Sequence, residues 1–331
     1  MGQRSDDPMT RALVLGGGGF SGIAWEVGVL RGLSAAGISV LDCDLVVGTS
    51  GSAYVGSRVL AADDFDGIND SRTWTPPADG PALALALGST AVRAIRLTRR
   101  PILHWAVPAL IAWRAVYAME QLAARRGFGD VAKLRRIPGM RREGAVPSAE
   151  LLQFVGSLAR FAPTPPQERW ISYWEAALDG AGGWPARDLV IATVNTTDGT
   201  RVAWNRSDEV SIARAVAAST SIPGLCQPVT IGRAHYIDGG GHSPTNADLA
   251  AGHDHVLVVA PVDRGQLAAE AEGLRAKGST VSIVCPSRGS RERLGVAIGE
   301  LLDVARIGPS RTAGEADGRA AAAMLRDAGW Q

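Results

Sequence analysis

Cysteine is scarce in this 331-residue sequence: Cys43, Cys226 and Cys285, none of them in a C-x-x-C pair. Three isolated thiols argue against a disulfide framework and against a zinc site, and a reducing, cytoplasmic setting is the simpler expectation. Charge of one sign is lacking too. With 34 Lys+Arg against 33 Asp+Glu the net charge is +1, so no global field points to a nucleic-acid partner. Long hydrophobic runs are absent. The greasiest stretch, 101–119, is broken by His104, Pro108 and Arg114, which is too interrupted for a membrane-spanning helix. The first ten residues are polar, with Asp6 and Asp7, and lack the apolar core of a secretory signal. No internal repeat is visible. What is present is an ordinary apolar fraction, 46%, in a chain long enough for one large α/β domain or two smaller ones.

Hydrophobic periodicity organises both ends of the chain. Residues 11–15 read as a short buried strand ended by glycine. Ile23, Val27, Leu30 and Leu33 follow at helical spacing, with Gly37 as a stop. A second strand is expected over roughly 41–47 and a second helix from about Ser50. Strand, helix, strand, helix with short turns implies a parallel βαβ core. Further on, 189–193 and 201–204 flank Asp198-Gly199, a hairpin turn signal. A helix is expected at 208–218, a strand pair around Gly232-Arg233, strands at 255–260 and 280–285, and a last helix at 319–327.

Between these ends, from about residue 65 to 169, the pattern loosens. From Gly88 to Arg142 twelve Lys/Arg face only Glu120 and Asp130. This reads as a basic, partly amphipathic helical insertion. Two readings stand: a helical cap with solvated arginines, or a rim that makes peripheral contact with an anionic membrane.

The first strand runs into Gly16-Gly17-Gly18-Gly19-Phe20-Ser21-Gly22, which contains G-x-G-x-x-G. A dinucleotide loop of this form wants an acidic residue at the far end of the next strand, to hold a ribose. Asp42 and Asp44 sit at the start of that strand, and its far end is Gly48-Thr49-Ser50. The topology is wrong for ribose. An oxyanion hole fits better, because glycine lets backbone N–H groups approach a substrate at a helix N-terminus. Gly17, Gly18 and Gly19 are the candidate donors.

Gly48-Thr49-Ser50-Gly51-Ser52 joins an apolar strand to a helical pattern. That is the setting of a nucleophile elbow, with Ser50 raised on a tight turn. The pentapeptide departs from G-x-S-x-G at Ser52, and a serine that merely caps the helix has the same local sequence. A nucleophilic serine needs a base. His104, His235, His242, His253 and His255 sit in no helpful motif, and a surface role is expected for His253 and His255. Asp238, in Tyr236-Ile237-Asp238-Gly239-Gly240-Gly241, ends a strand and enters a glycine-rich turn that can aim a carboxylate. By itself it also reads as an ordinary turn residue.

Taken together and in order, the glycine loop, the serine elbow and the distant Asp238-Gly239-Gly240 resemble the patatin-like phospholipase family. Gly28-Val29-Leu30, Ser221-Ile222-Pro223-Gly224, Pro228-Val229 and Asn246 add to the likeness, which covers about residues 11–60 and 185–262. The resemblance implies a three-layer α/β/α sandwich with a mostly parallel central sheet. It implies hydrolysis of lipid acyl esters by a Ser-Asp dyad, with no metal or other cofactor. By motif position Ser50 is the nucleophile, Asp238 the base and Gly17 to Gly19 the oxyanion donors. Family members often carry arginine where Ser21 stands and glycine where Ser52 stands. The expected organisation is a hydrolase domain over 11–262, with the insertion at about 65–169, and a C-terminal α/β extension over 263–331 packed on it. The expected activity is that of a serine ester hydrolase acting on lipid. A catalytically weak lipid-binding protein and a transacylase are the alternatives.

Overall fold

The computed structural model describes residues 9–62, 146–161, 164–178 and 183–330. The basic insertion, including His104, lies outside these residues except for its last part. The described chain opens with β1 (Arg11–Leu15), α1 (Gly19–Ala35), β2 (Leu45–Thr49) and α2 (Gly51–Ala62). After α3 (Ala149–Ala159) and α4 (Gln167–Ala177) come β3 (Asp188–Asn195), β4 (Arg201–Trp204), α5 (Ile212–Ser219), β5 (Val229–Ile231) and β6 (Ala234–Asp238). The chain ends with β7 (His255–Val259), α6 (Leu267–Ala276), β8 (Thr280–Val284), two short helices α7 (Arg288–Leu294) and α8 (Ile298–Leu301), and α9 (Ile307–Asp327).

The strands form one mixed sheet in the order β5-β6-β3-β2-β1-β7-β8, with β4 paired to β3. β1, β2, β3, β7 and β8 run parallel, while β4, β5 and β6 pair antiparallel. Alternation along β1 sends Leu13 and Leu15 into one apolar cluster and Ala12 and Val14 into another. A strand buried on both faces needs helices on both faces. The first cluster takes in residues of α1, α2, α4, α5 and α9, and the second takes in Ala247, Ala250 and the α6 residues Leu267 and Leu274. The result is a three-layer α/β/α sandwich, as the motifs implied.

β1 and β2 are parallel neighbours in register, Leu15 beside Gly48. Their carboxyl ends therefore deliver the glycine loop and Ser50 side by side, at the end of the sheet where open α/β folds place ligands. β2 starts at Leu45, later than the sequence suggests. The Asp44 N–H donates to the Arg11 carbonyl at 2.8 Å, and Asp44 Oδ2 accepts the Arg11 N–H at 2.7 Å. That reciprocal pair closes the turn before the ladder begins. α5 starts at Ile212 because Ser211 caps it, accepting from the Arg214 N–H.

The largest departure is α9, which begins at Ile307, twelve residues ahead of the sequence reading. Gly308, Pro309, Gly314 and Gly318 mimic loop composition. In the fold, Gly314 and Gly318 are the contact surface. A Cβ on Gly314 would sit 2.0 Å from the Trp25 carbonyl oxygen, and one on Gly318 would sit 2.3 Å from that of Val29. From the other side, a Cβ on Gly28 would meet Arg311 O at 2.2 Å, and one on Gly32 would meet Glu315 O at 2.3 Å. Two helices with glycine four residues apart thus cross backbone to backbone. Trp25 Nε1 adds a 2.8 Å bond to Asp317 Oδ2. α1, which starts at the glycine loop, is fixed by this crossing.

Gly314→Ala is expected to lower unfolding stability by about 1–3 kcal/mol or more, because two backbones must separate. Gly273→Ala, in α6 with nothing within 4 Å of the new methyl, is expected to raise it by up to about 1 kcal/mol. Urea denaturation checks both. Equal effects would contradict a backbone-limited crossing.

Candidate active site

Ser50 lies between β2 and α2 at φ 57°, a left-handed conformation that costs a serine free energy. Gly48 makes the turn possible: a Cβ there would lie 2.6 Å from Ala53 Cα. The strained residue is held by a bond absent from any motif. Its N–H donates to Ser219 Oγ at 2.9 Å, and Ser219 Oγ donates to the Ala192 carbonyl at 2.7 Å. α5 and β3 thereby clamp the elbow from behind.

The Ser50 hydroxyl donates to Asp238 Oδ2 at 2.7 Å across 188 positions of sequence. Asp238 ends β6 opposite Thr193 of β3. Its other oxygen, Oδ1, accepts the Gly240 N–H at 2.7 Å, and its own N–H donates to Ser221 O at 3.0 Å. The short 3₁₀ turn Gly239–Gly241 after it needs small residues, since a Cβ on Gly239 would lie 2.2 Å from Ala192 O. Asn246 ties the two motifs together. Held at φ 49°, its Nδ2 donates to Thr49 Oγ1 at 3.1 Å, to Ser243 O at 2.7 Å and to Gly239 O at 3.3 Å. The residue before the serine and the residue after the aspartate thus share one amide.

Asp238 is 6% exposed and Ser50 8%. Burial pushes the Asp238 carboxyl up from 3.8 to about 6, against the pull of the Ser50 hydroxyl, the Gly240 N–H and the Arg264 guanidinium. The group is therefore a carboxylate at neutral pH and a stronger proton acceptor than an exposed aspartate. Thiols are poor rivals as nucleophiles, since burial raises Cys43 to about 11 and Cys226 to about 12. Among the described histidines none bonds Ser50 or Asp238. His242 Nδ1 meets Asn246 Oδ1 at 3.2 Å. His255 is buried at the start of β7, which corrects the expectation that it lies at the surface.

The glycine loop faces the same cleft. Gly17, Gly18, Gly19, Ser50 and Asp238 line a cavity of about 150 Å³, with Ile222, Pro223, Pro244, Val262 and Leu301 as its apolar wall and Arg264 at its rim. A Cβ on Gly17 would sit 3.0 Å from Ser50 Cβ, so only glycine brings the loop this close. Gly19, at φ +60°, opens α1, and a Cβ there would lie 2.8 Å from Leu301 O. The Gly17 N–H is committed to Pro244 O at 2.7 Å. The Gly18 and Gly19 N–H groups are the remaining donors of the trio, at the N-terminus of a 17-residue helix.

Both departures from the motifs find partners. Ser21, where arginine is common, is fully buried and donates to Leu294 O at 3.0 Å. Ser52, where glycine is common, is fully buried and bonds Gly16 O at 2.8 Å and the carboxyl of Glu26. Glu26 and Ser219 carry no chemical signature in the sequence, and Asn246 shows there only as part of the family likeness. Only the helical spacing of α1, which turns Glu26 toward apolar neighbours, hints that this acid is inside.

A mostly parallel sheet between helical layers, with a strained serine on a strand-to-helix turn, is the architecture of α/β acyl hydrolases as a class. The chain belongs to the patatin-like phospholipase family, whose model matches residues 13–251. No curated protein matches in sequence. Among solved structures, VipD from Legionella pneumophila is 18% identical, with a TM-score of 0.36 over 80% of this chain and 53% of its own. The type III effector protein ExoU is 15% identical, with a TM-score of 0.37 over 98% of this chain and 54% of its own. The chain thus spans about half the length of each. The fold assignment rests on its own sheet order and on the family match. Among the described residues, no helix is long and apolar enough to cross a membrane.

Reaction of Ser50 with a fluorophosphonate is expected to be constant above about pH 7 and to fall as pH drops through about 6, where Asp238 takes a proton. Arg264 holds that carboxyl down, so Arg264→Gln is expected to move the acid limb to higher pH. A midpoint near 4 would contradict the buried carboxylate.

Proposed function

We propose that the chain is a serine acyl hydrolase that cleaves carboxylic esters of lipids, of phospholipase A, lysophospholipase or esterase type, through Ser50 and Asp238. The observation that carries this reading is the 2.7 Å bond between a serine held at φ 57° and a buried carboxylate, in a cleft with an apolar wall. Family membership supports a lipid substrate.

Ser50 Oγ attacks the ester carbonyl carbon while its proton passes to Asp238 Oδ2. The carbonyl oxygen takes the negative charge and accepts hydrogen bonds from the Gly18 and Gly19 N–H groups, the two of the candidate trio without a bond among the described residues. Each such donor is worth about 10²–10³ in rate. The start of α1 favours the oxyanion, and α2, starting at Gly51, favours the charge developing on Ser50. The tetrahedral intermediate collapses as Asp238 gives the proton to the leaving alcohol. Water then enters, loses its proton to Asp238 and attacks the acyl-enzyme carbonyl, and Ser50 leaves with that proton returned. The Gly240 N–H fixes the carboxylate rotamer throughout, so one oxygen always faces the serine. The carboxylate near 6 and the alcohol nucleophile need no histidine between them, because the proton moves only as the alkoxide becomes an acyl oxygen.

A catalytically weak lipid-binding protein is the alternative that Ser21 and Ser52, in place of the motif residues, favour; both side chains have partners inside the fold. Transfer to an acceptor alcohol follows the same steps with the acceptor in place of water.

Ser50→Ala and Asp238→Asn should each lower hydrolysis of p-nitrophenyl esters and of a lysophospholipid by at least about 10³-fold, with little change in unfolding midpoint. Undiminished turnover in either variant would sink the dyad.

A further inference from the structure

Glu26 stands in the middle of α1, fully buried, and the hydrolytic steps give it no role. Its Oε2 meets Ser52 Oγ in a hydrogen bond, and its Oε1 is buried with no hydrogen-bond partner among the described residues. Burial holds this carboxyl well above the usual range, with the Ser52 hydroxyl and the Gly16 amide offsetting only part of it. In its protonated form this carboxyl has one proton to give.

The direction of the bonds follows from counting hydrogens. Ser52 has one O–H, and Gly16 O, 2.8 Å away, can only accept. With Ser52 donating to Gly16, the Glu26–Ser52 contact is completed by the proton of a neutral Glu26. An ionised Glu26 would compete with Gly16 for the same hydrogen. The chain runs Glu26 O–H to Ser52 O–H to the Gly16 carbonyl.

Gly16 C=O and Gly17 N–H belong to one planar peptide unit. Ser52 holds its oxygen end, and Pro244 O holds its N–H end at 2.7 Å. The next amide along is that of Gly18, the first proposed oxyanion donor. Ser52 itself lies two residues after the nucleophile, in the first turn of α2.

We propose that Glu26 and Ser52 are positioning residues for the hydrolysis argued above, a buried two-bond chain that sets the peptide plane at the root of the glycine loop and so fixes the oxyanion donors relative to Ser50. The inference rests on that serine-hydrolase reading. It turns the missing elbow glycine into a requirement of this chain. Glycine or alanine at position 52 would leave both Gly16 O and the Glu26 carboxyl buried without their partner.

The test uses the full chain, p-nitrophenyl butyrate and circular dichroism to confirm folding. Ser52→Ala and Ser52→Gly are each expected to lower kcat by about 10–100-fold with KM within about twofold, since misplaced donors cost the transition state and not the bound ester. Glu26→Gln, whose amide can still donate to Ser52 Oγ, should keep kcat within about threefold of wild type. Glu26→Met, of similar volume and without a donor, should fall with the Ser52 variants, and its loss should not add to that of Ser52→Ala. If Ser52→Ala fails to fold, the Gln-against-Met contrast at position 26 decides the matter. A folded Ser52→Ala with wild-type kcat, or Glu26→Gln and Glu26→Met falling equally, would overturn the proposal. Wild-type protein without Ser50-dependent turnover would sink the hydrolase reading instead. In that event protection of the Gly17 amide from hydrogen exchange, lost in Ser52→Ala, still reads the positioning.

Discussion

The hydrogen bond from Ser50 to Asp238 is the contact on which the rest of the structure converges. Its two ends come from opposite sides of the chain, and neither side chain has freedom to search for the other. Ser50 is fixed by a strained backbone at the end of β2, and Asp238 by its ladder position beside β3. A 2.7 Å contact therefore depends on the sheet register. Ser219 and Asn246 make that dependence concrete. One clamps the elbow to β3, and the other bonds both Thr49 and Gly239. Strain at φ 57° persists because these bonds over-determine it.

The glycine loop obeys a second constraint, close approach. Gly17 lies against Ser50, Gly19 against Leu301, and α1 behind them lies against α9 through four glycines. The family match ends at residue 251, yet β7, β8 and α9 lie beyond it. β7 pairs directly with β1, and α9 packs directly on α1. α1 is thus held by a segment outside the matched region. Ser21 reaches into the same segment through Leu294 O.

Much of this was legible in the sequence. β1, the βαβ order, both hairpins and the elbow follow from short apolar runs ended by glycine, and the order of motifs singled out Ser50 and Asp238. Three things were hidden, each for a physical reason. The extent of α9 was masked because glycine reads as a breaker locally, while here it permits a helix crossing that only tertiary contact reveals. The commitment of the Gly17 amide depends on Pro244, more than two hundred residues away, so four glycines in a row could not say which two keep their donors. Glu26 and Ser52 were invisible as a pair, because an acid in a helix reads as surface and a serine in an elbow reads as an imperfect motif. The basic insertion, with its membrane reading, lies outside the described residues except for its last part.

The most direct measurement of the central claim is a crystal structure of the protein after reaction with a fluorophosphonate. The account predicts phosphorus bonded to Ser50 Oγ, with the phosphonyl oxygen about 2.7–3.1 Å from the Gly18 and Gly19 nitrogens and the Gly17 amide still on Pro244. An adduct on another residue, or a phosphonyl oxygen turned away from those two amides, would contradict it.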